Sequence, residues 1–142
     1  MNFRIILLSA LVVLSTALTH TNTDTCTPTR GKIYHPGNDH QFHDTINQFD
    51  LVVADFYADW CGPCKQMHKV IDDLATDSEC DDILFIKVNT DVHRGLSHQF
   101  GITGLPTIIL FVDGKPIKRL HGYHSKRDLK AAIKSTFRVP QA

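Results

Sequence analysis

One run of seven residues, Leu51-Val52-Val53-Ala54-Asp55-Phe56-Tyr57, constrains this chain more than any other segment. Only Asp55 interrupts its apolar character, so it reads as a buried strand. Trp60-Cys61-Gly62-Pro63-Cys64 follows almost at once, and beyond it Met67, Val70, Ile71 and Leu74 recur at helical spacing. A strand therefore gives way to an amphipathic helix, and two cysteines stand at the junction. There the unpaired N–H groups and the positive end of the helix dipole stabilise a thiolate. Thiolate is the nucleophile of disulfide exchange, and cysteines separated by two residues close a small disulfide ring and open it again.

Other chemistry fits the pair poorly. A zinc site needs about four ligands, and only His68 lies at a useful helical distance. Attachment of a c-type haem needs a histidine directly after Cys64, where Lys65 stands instead. A purely structural bridge over so short a loop removes little unfolded-state entropy. Redox exchange is the reading that remains, with Cys61 as the exposed attacking thiol and Cys64, one turn inside, as the less exposed resolving thiol. Pro63 suits a first helical turn because its missing N–H costs nothing there. Gly62 allows another backbone to approach closely.

The rest of the domain alternates strand and helix. Ile33-Tyr34-His35 reads as a short strand, Pro36-Gly37-Asn38 as a turn, and Asn38 or Asp39 as the cap of a helix that buries Phe42, Ile46 and Phe49. The helix after Cys61 extends to about Ala75. Ile83–Asn89 is a second strongly apolar strand, followed by a shorter helix over about Val92–Phe100. Thr107–Val112 and Ile117–His121 flank Asp113-Gly114-Lys115-Pro116, a hairpin signal. Ser125 caps a last helix carrying Leu129, Ile133 and Phe137. The order βαβαβαββα is that of an α/β layered sheet.

Two segments carry a family resemblance: Trp60-Cys61-Gly62-Pro63-Cys64, and Phe100-Gly101-Ile102-Thr103-Gly104-Leu105-Pro106-Thr107 ahead of the hairpin. Together they resemble the thioredoxin family from about Lys32 to Phe137. The resemblance implies a thioredoxin fold, a central mixed sheet of about five strands in the order 1-3-2-4-5 flanked by about four helices. It implies a cis peptide bond before Pro106, facing the active-site disulfide, and a reducing role for the Gly62-Pro63 dipeptide. It also places Trp60, Gly62, Pro63, Leu105, Pro106 and Gly122 along a substrate surface, where the backbone of Leu105 pairs with an extended substrate segment. Where the family commonly kinks its long helix with a proline, this chain has Lys69.

Asp55 has two readings. A lone carboxylate in an apolar strand either points to solvent or is a buried acid with a raised pKa, relaying protons to and from Cys64. The second is favoured. The family has an aspartate at this place, and by resemblance Lys87 in the neighbouring strand is its partner. Nine histidines are scattered along the chain without metal-ligand clustering, so no metal is expected, and no flavin or nucleotide is implied.

Arg4, the apolar stretch Ile5–Leu14 and the small residues Ser15-Thr16-Ala17 have the anatomy of a secretory signal peptide over residues 1–17. The stretch is short of the roughly 20 residues that span a bilayer. Residues 18–31 read as a flexible lead-in, 32–137 as the domain and 138–142 as a tail. Fifteen basic side chains balance fifteen acidic ones, so no field exists to bind nucleic acid. An exported protein of the periplasm or extracellular space, off the membrane after cleavage, meets oxidising conditions. In the expected sheet Cys26 and Cys80 precede adjacent parallel strands, which suggests a structural Cys26–Cys80 bridge, with two unpaired thiols as the alternative.

The expected activity is an exported thiol–disulfide oxidoreductase that reduces disulfide-containing protein substrates through a Cys61/Cys64 cycle. Its external electron donor is either thioredoxin reductase-like or a membrane electron carrier. Two alternatives stand beside it: a dedicated reductase in cytochrome c maturation, and a non-enzymatic peptide-binding module.

Overall fold

A computed structural model of the chain describes residues 32–137. The expected signal segment and lead-in, with Cys26, and the expected tail lie outside the described residues. The elements run β1 (Ile33–Tyr34), α1 (Asp39–Gln48), β2 (Leu51–Tyr57), α2 (Gly62–Ala75), β3 (Leu84–Asn89), α3 (Arg94–Gln99), β4 (Thr107–Val112), β5 (Lys115–His121) and α4 (Lys126–Phe137), with a 3₁₀ turn at Ser78–Cys80. The strands join in the order β1-β3-β2-β4-β5, the mixed sheet expected from the resemblance. β1 and β2 both run parallel to β3, while β4 is antiparallel to its neighbours β2 and β5.

The strand period of two sorts each strand's side chains between two helical layers. Val53, Phe85, Ile108 and Leu110 face α2 and α4, packing with Met67, Ile71, Leu74, Leu129 and Ile133. Val52, Ala54, Phe56, Leu84, Ile86, Ile109 and Phe111 face the other way, with Phe42 and Ile46 of α1 and Leu96 of α3. Asp55 and Lys87 fall in register beside each other on paired strands.

Several boundaries differ from the sequence reading for local reasons. Of the two candidate caps of α1 it is Asn38 that takes the position, its Oδ1 accepting from the Gln41 amide at 2.9 Å. Asp39 instead reaches the buried His93 at 2.9 Å. Phe49 falls just past the end of α1, yet still packs against the core. β5 begins at Lys115, before Pro116, and an edge strand tolerates a proline because one side of it has no ladder to complete. The hairpin turn has positive φ at both Asp113 (48°) and Gly114 (74°), which matches the right-handed twist of the strands it joins. α2 runs unbroken through Lys69.

Candidate active site

The buried strand β2 ends at Tyr57, and the chain turns through Ala58, Asp59 and Trp60 into α2. Cys61 takes the N-cap position, with Gly62 and Pro63 as the first helical residues. Its sulfur is bonded to that of Cys64, the Cα atoms standing 5.3 Å apart. The Cys64 amide points at Cys61 Sγ at 3.3 Å. When the disulfide opens, that orphan donor of the first helical turn faces a thiolate. Ala58, Tyr57 and Leu105 pack around the pair. Cys61 is consequently only 6% exposed, more enclosed than the sequence suggested, but still the more open of the two, since Cys64 is 0% exposed.

Trp60, just before the pair, is 73% exposed. Its indole N–H donates to Asp91 Oδ2 at 3.0 Å, which fixes the ring over the loop after β3. The Leu105–Pro106 peptide is cis. Leu105 packs on the cysteines, while Pro106 is buried and its carbonyl accepts from the Gly122 amide at 2.8 Å. Gly122 has φ +76°, a conformation that favours glycine. A shallow groove of about 250 Å³ runs between Trp60, Thr90, Ile102, Thr103, Gly104 and Leu105. The structure thus brings Trp60 and Leu105 to one groove, while Pro106 and Gly122, bonded to each other, are not among its walls.

Behind the disulfide the α2-facing side of the sheet is polar. Asp55 is fully buried, and neither carboxylate oxygen has a hydrogen-bond partner among the described residues. Burial pushes its pKa up to about 7; Lys87 pulls the other way and Asp72 adds to the rise. The two readings of Asp55 therefore resolve toward the buried acid.

Lys87 does not bond to it. Its ammonium goes to Asp72 Oδ1 on α2 at 2.6 Å. Asp72 keeps 55% of its side chain exposed, so the lysine pairs with a carboxylate that retains much of its hydration, which a wholly buried pair would lose. The group that faces Asp55 is His68, weighed in the sequence only as a metal ligand. Its Nε2 lies 3.5 Å from Asp55 Oδ2 and is itself buried with no hydrogen-bond partner among the described residues. The signal available in the sequence was its spacing, four residues after Cys64 and so on the same face of α2.

Cys80 ends the 3₁₀ turn at the far end of the sheet, 2% exposed, and forms no disulfide with any described residue. Burial raises its thiol pKa.

The comparisons with known proteins agree with this geometry. The family model "Thioredoxin" matches residues 34–135. A thioredoxin from Alicyclobacillus acidocaldarius is 39% identical over 95 residues, covering 67% of this chain and 90% of the relative. One from Chlamydia caviae is 43% identical over 79 residues, covering 56% and 76%. Among solved structures, a mutant thioredoxin from Halobacterium salinarum superposes with a TM-score of 0.71 at 31% identity, covering 80% of this chain and 97% of that one. Mitochondrial thioredoxin 3 from Saccharomyces cerevisiae, in its oxidised form, gives 0.66 at 33% identity, covering 72% and 94%. With its helix-capping Cys61–Cys64 disulfide, this chain belongs to the thioredoxin family and is a thiol–disulfide oxidoreductase.

Proposed function

We propose that this protein is exported and works in the reducing direction, opening disulfides in other exported proteins. The observation that carries the reading is the cap of α2, where the sulfur of Cys61 sits under the Cys64 amide at the positive end of the helix. Cys61 thiolate attacks a substrate disulfide; one substrate sulfur leaves as thiolate and the other is held in a mixed disulfide. Cys64 then loses its proton to the Asp55 carboxylate and attacks Cys61 Sγ. The Cys61–Cys64 bond forms, the mixed disulfide breaks, and the substrate leaves fully reduced while the protein is oxidised. The groove between Trp60 and Leu105, and the backbone beside Pro106, hold the substrate segment as an added strand. A thioredoxin reductase-like protein or a membrane electron carrier returns the two electrons.

Export rests on the signal-like residues 1–17. It carries with it the Cys26–Cys80 bridge. β1 and β3 pair in parallel with Ile33 opposite Phe85, and Cys26 and Cys80 precede these adjacent strands in the sequence, on the N-terminal side of each. Peptide mapping of the non-reduced protein from its native compartment tests it, and recovery of both thiols alkylated without prior reduction removes it.

Insulin reduction with a chemical reductant tests the mechanism. Cys61→Ser abolishes turnover, whereas Cys64→Ser accumulates mixed disulfides because attack survives and resolution does not. Undiminished turnover by Cys61→Ser would sink it.

A further inference from the structure

The proton that Asp55 takes from Cys64 needs an exit. Asp55 is 0% exposed, and no described residue hydrogen-bonds to its carboxylate. One titratable group bridges the gap. His68 Nε2 faces Asp55 Oδ2 at 3.5 Å, and the His68 side chain is 25% exposed. One end of the ring is therefore buried against the acid while the side chain keeps some contact with solvent. The separation is slightly longer than a formed hydrogen bond, as is common for proton-transfer pairs before the reacting state tightens them. Tyr57 of β2 packs edge-on against the imidazole at a centroid distance of 4.4 Å and holds it over Asp55.

We propose that His68 is a positioning residue for the exchange reaction, acting through Asp55 as the proton conduit between the buried carboxyl and solvent. The proposal rests on the Asp55 relay of the preceding section. During resolution of the mixed disulfide, protonated Asp55 passes its proton to Nε2 of a neutral His68, and the Nδ1 proton leaves to water. The ring is left as its Nε2–H tautomer. When the Cys61–Cys64 disulfide is reopened by the electron donor, the path reverses. Nε2–H returns its proton to Asp55, Asp55 protonates the departing Cys64 thiolate, and Nδ1 takes a proton from water. The two half-cycles restore each other's tautomer, and no proton is gained or lost by the relay.

The surroundings suit an exchange near neutral pH. Burial pushes the Asp55 acid up to about 7 and favours the neutral, proton-accepting form of the His68 imidazole. The charged and titratable groups facing His68 are Asp72 on its own helix, Asp55 and Tyr57 of β2, Asp59 in the loop after β2, Lys87 of β3 and His35 just beyond β1. Lys87 and His35 oppose a standing charge on the ring, and Asp72 and Asp59 favour one. A neutral ring suits a conduit, because it has a free nitrogen to accept a proton and an N–H to release one.

The resolving step can be read alone by adding 5,5′-dithiobis(2-nitrobenzoate) to the reduced protein and following release of the second thionitrobenzoate as Cys64 attacks the mixed disulfide on Cys61. In dilute buffer, His68→Ala and His68→Gln should both slow this release about tenfold, less than the ~100-fold or more of direct acid–base groups because water still finds a path. Added imidazole should restore the His68→Ala rate and leave the wild type unchanged. If His68→Ala does not fold, His68→Gln keeps the side chain's bulk and polarity and is read by the same release. A wild-type rate for His68→Gln, or slowing of both variants that imidazole does not relieve, would overturn the proposal. Asp55→Asn run in parallel separates the two claims. If it resolves at the wild-type rate, the Asp55 relay itself is wrong; if it is slow while His68→Gln is not, only the conduit is.

Discussion

The two faces of the sheet are built from the same strands and differ in one polar step. Toward α1 and α3, β2 presents Val52, Ala54 and Phe56, and β3 presents Leu84, Ile86 and Val88, all fully buried. Phe42, Phe56, Phe100 and Phe111 meet there edge-on or tilted, with centroids 5.5–6.1 Å apart. Toward α2 the same strands begin equally dry, with Val53 and Phe85, and then turn polar one step later at Asp55 and Lys87. The polar step lies toward the C-terminal ends of β2 and β3, the end from which the chain enters the Cys61 turn. The difference teaches that both faces carry a hydrophobic core but only one admits a buried polar pair, and that the division runs through single strands, residue by residue.

Breaking the dry face should cost most. Phe56→Ala removes a fully buried ring from the aromatic cluster, and such truncations cost about 3–5 kcal/mol. Urea denaturation should show that loss at every pH, while the folded fraction keeps the Asp55 titration of the wild type. A pH-dependent loss would mean that the faces are coupled.

Asp55→Asn sharpens the comparison because its effect has the opposite sign. The carboxyl is held at about 7 in the folded protein, against about 3.9 in an unfolded chain, so the native state binds the extra proton between those values. That contribution is complete below about pH 4 and is lost as pH rises through about 7, with a ceiling on the order of 4 kcal/mol. Asn carries no such titration. Asp55→Asn should therefore be more stable than wild type above pH 7, and its stability should stay flat where that of the wild type declines. On the proposed relay the same variant should exchange disulfides more slowly, so that stability and function would part company at this residue. Parallel stability curves from pH 4 to 8 would contradict the account.

The smallest effect belongs to the edge of the dry layer. Asn38→Ala removes the cap that accepts from Gln41 and should cost about 1 kcal/mol, with no change in exchange rate. A change in rate would show that α1 communicates with the cysteines across the sheet.

Much of this was legible in the chain. The run Leu51–Tyr57 reads as a buried strand, and the helical spacing after the cysteine pair puts that pair at a helix start. Asp55 was ambiguous because a strand's period says which residues share a face but not which face is covered. The answer required α2 to be seen lying over it. Lys87 shows the same limit from the other side. Register placed it beside Asp55, but its side chain reaches α2 and bonds Asp72. His68 was visible as a residue and invisible as a neighbour, since its contact with Asp55 exists only once α2 packs on β2. Asn38 and Asp39 are both capping side chains, and only the backbone geometry chose between them.

The central claim is that one strand carries a buried acid, poised near neutrality, behind the disulfide. A carbon-13 titration of the Asp55 carboxyl resonance, assigned by its disappearance in Asp55→Asn, reads that acid directly. The account predicts a midpoint at about 7 in the oxidised protein. A midpoint in the ordinary carboxylate range, about 4, would contradict it.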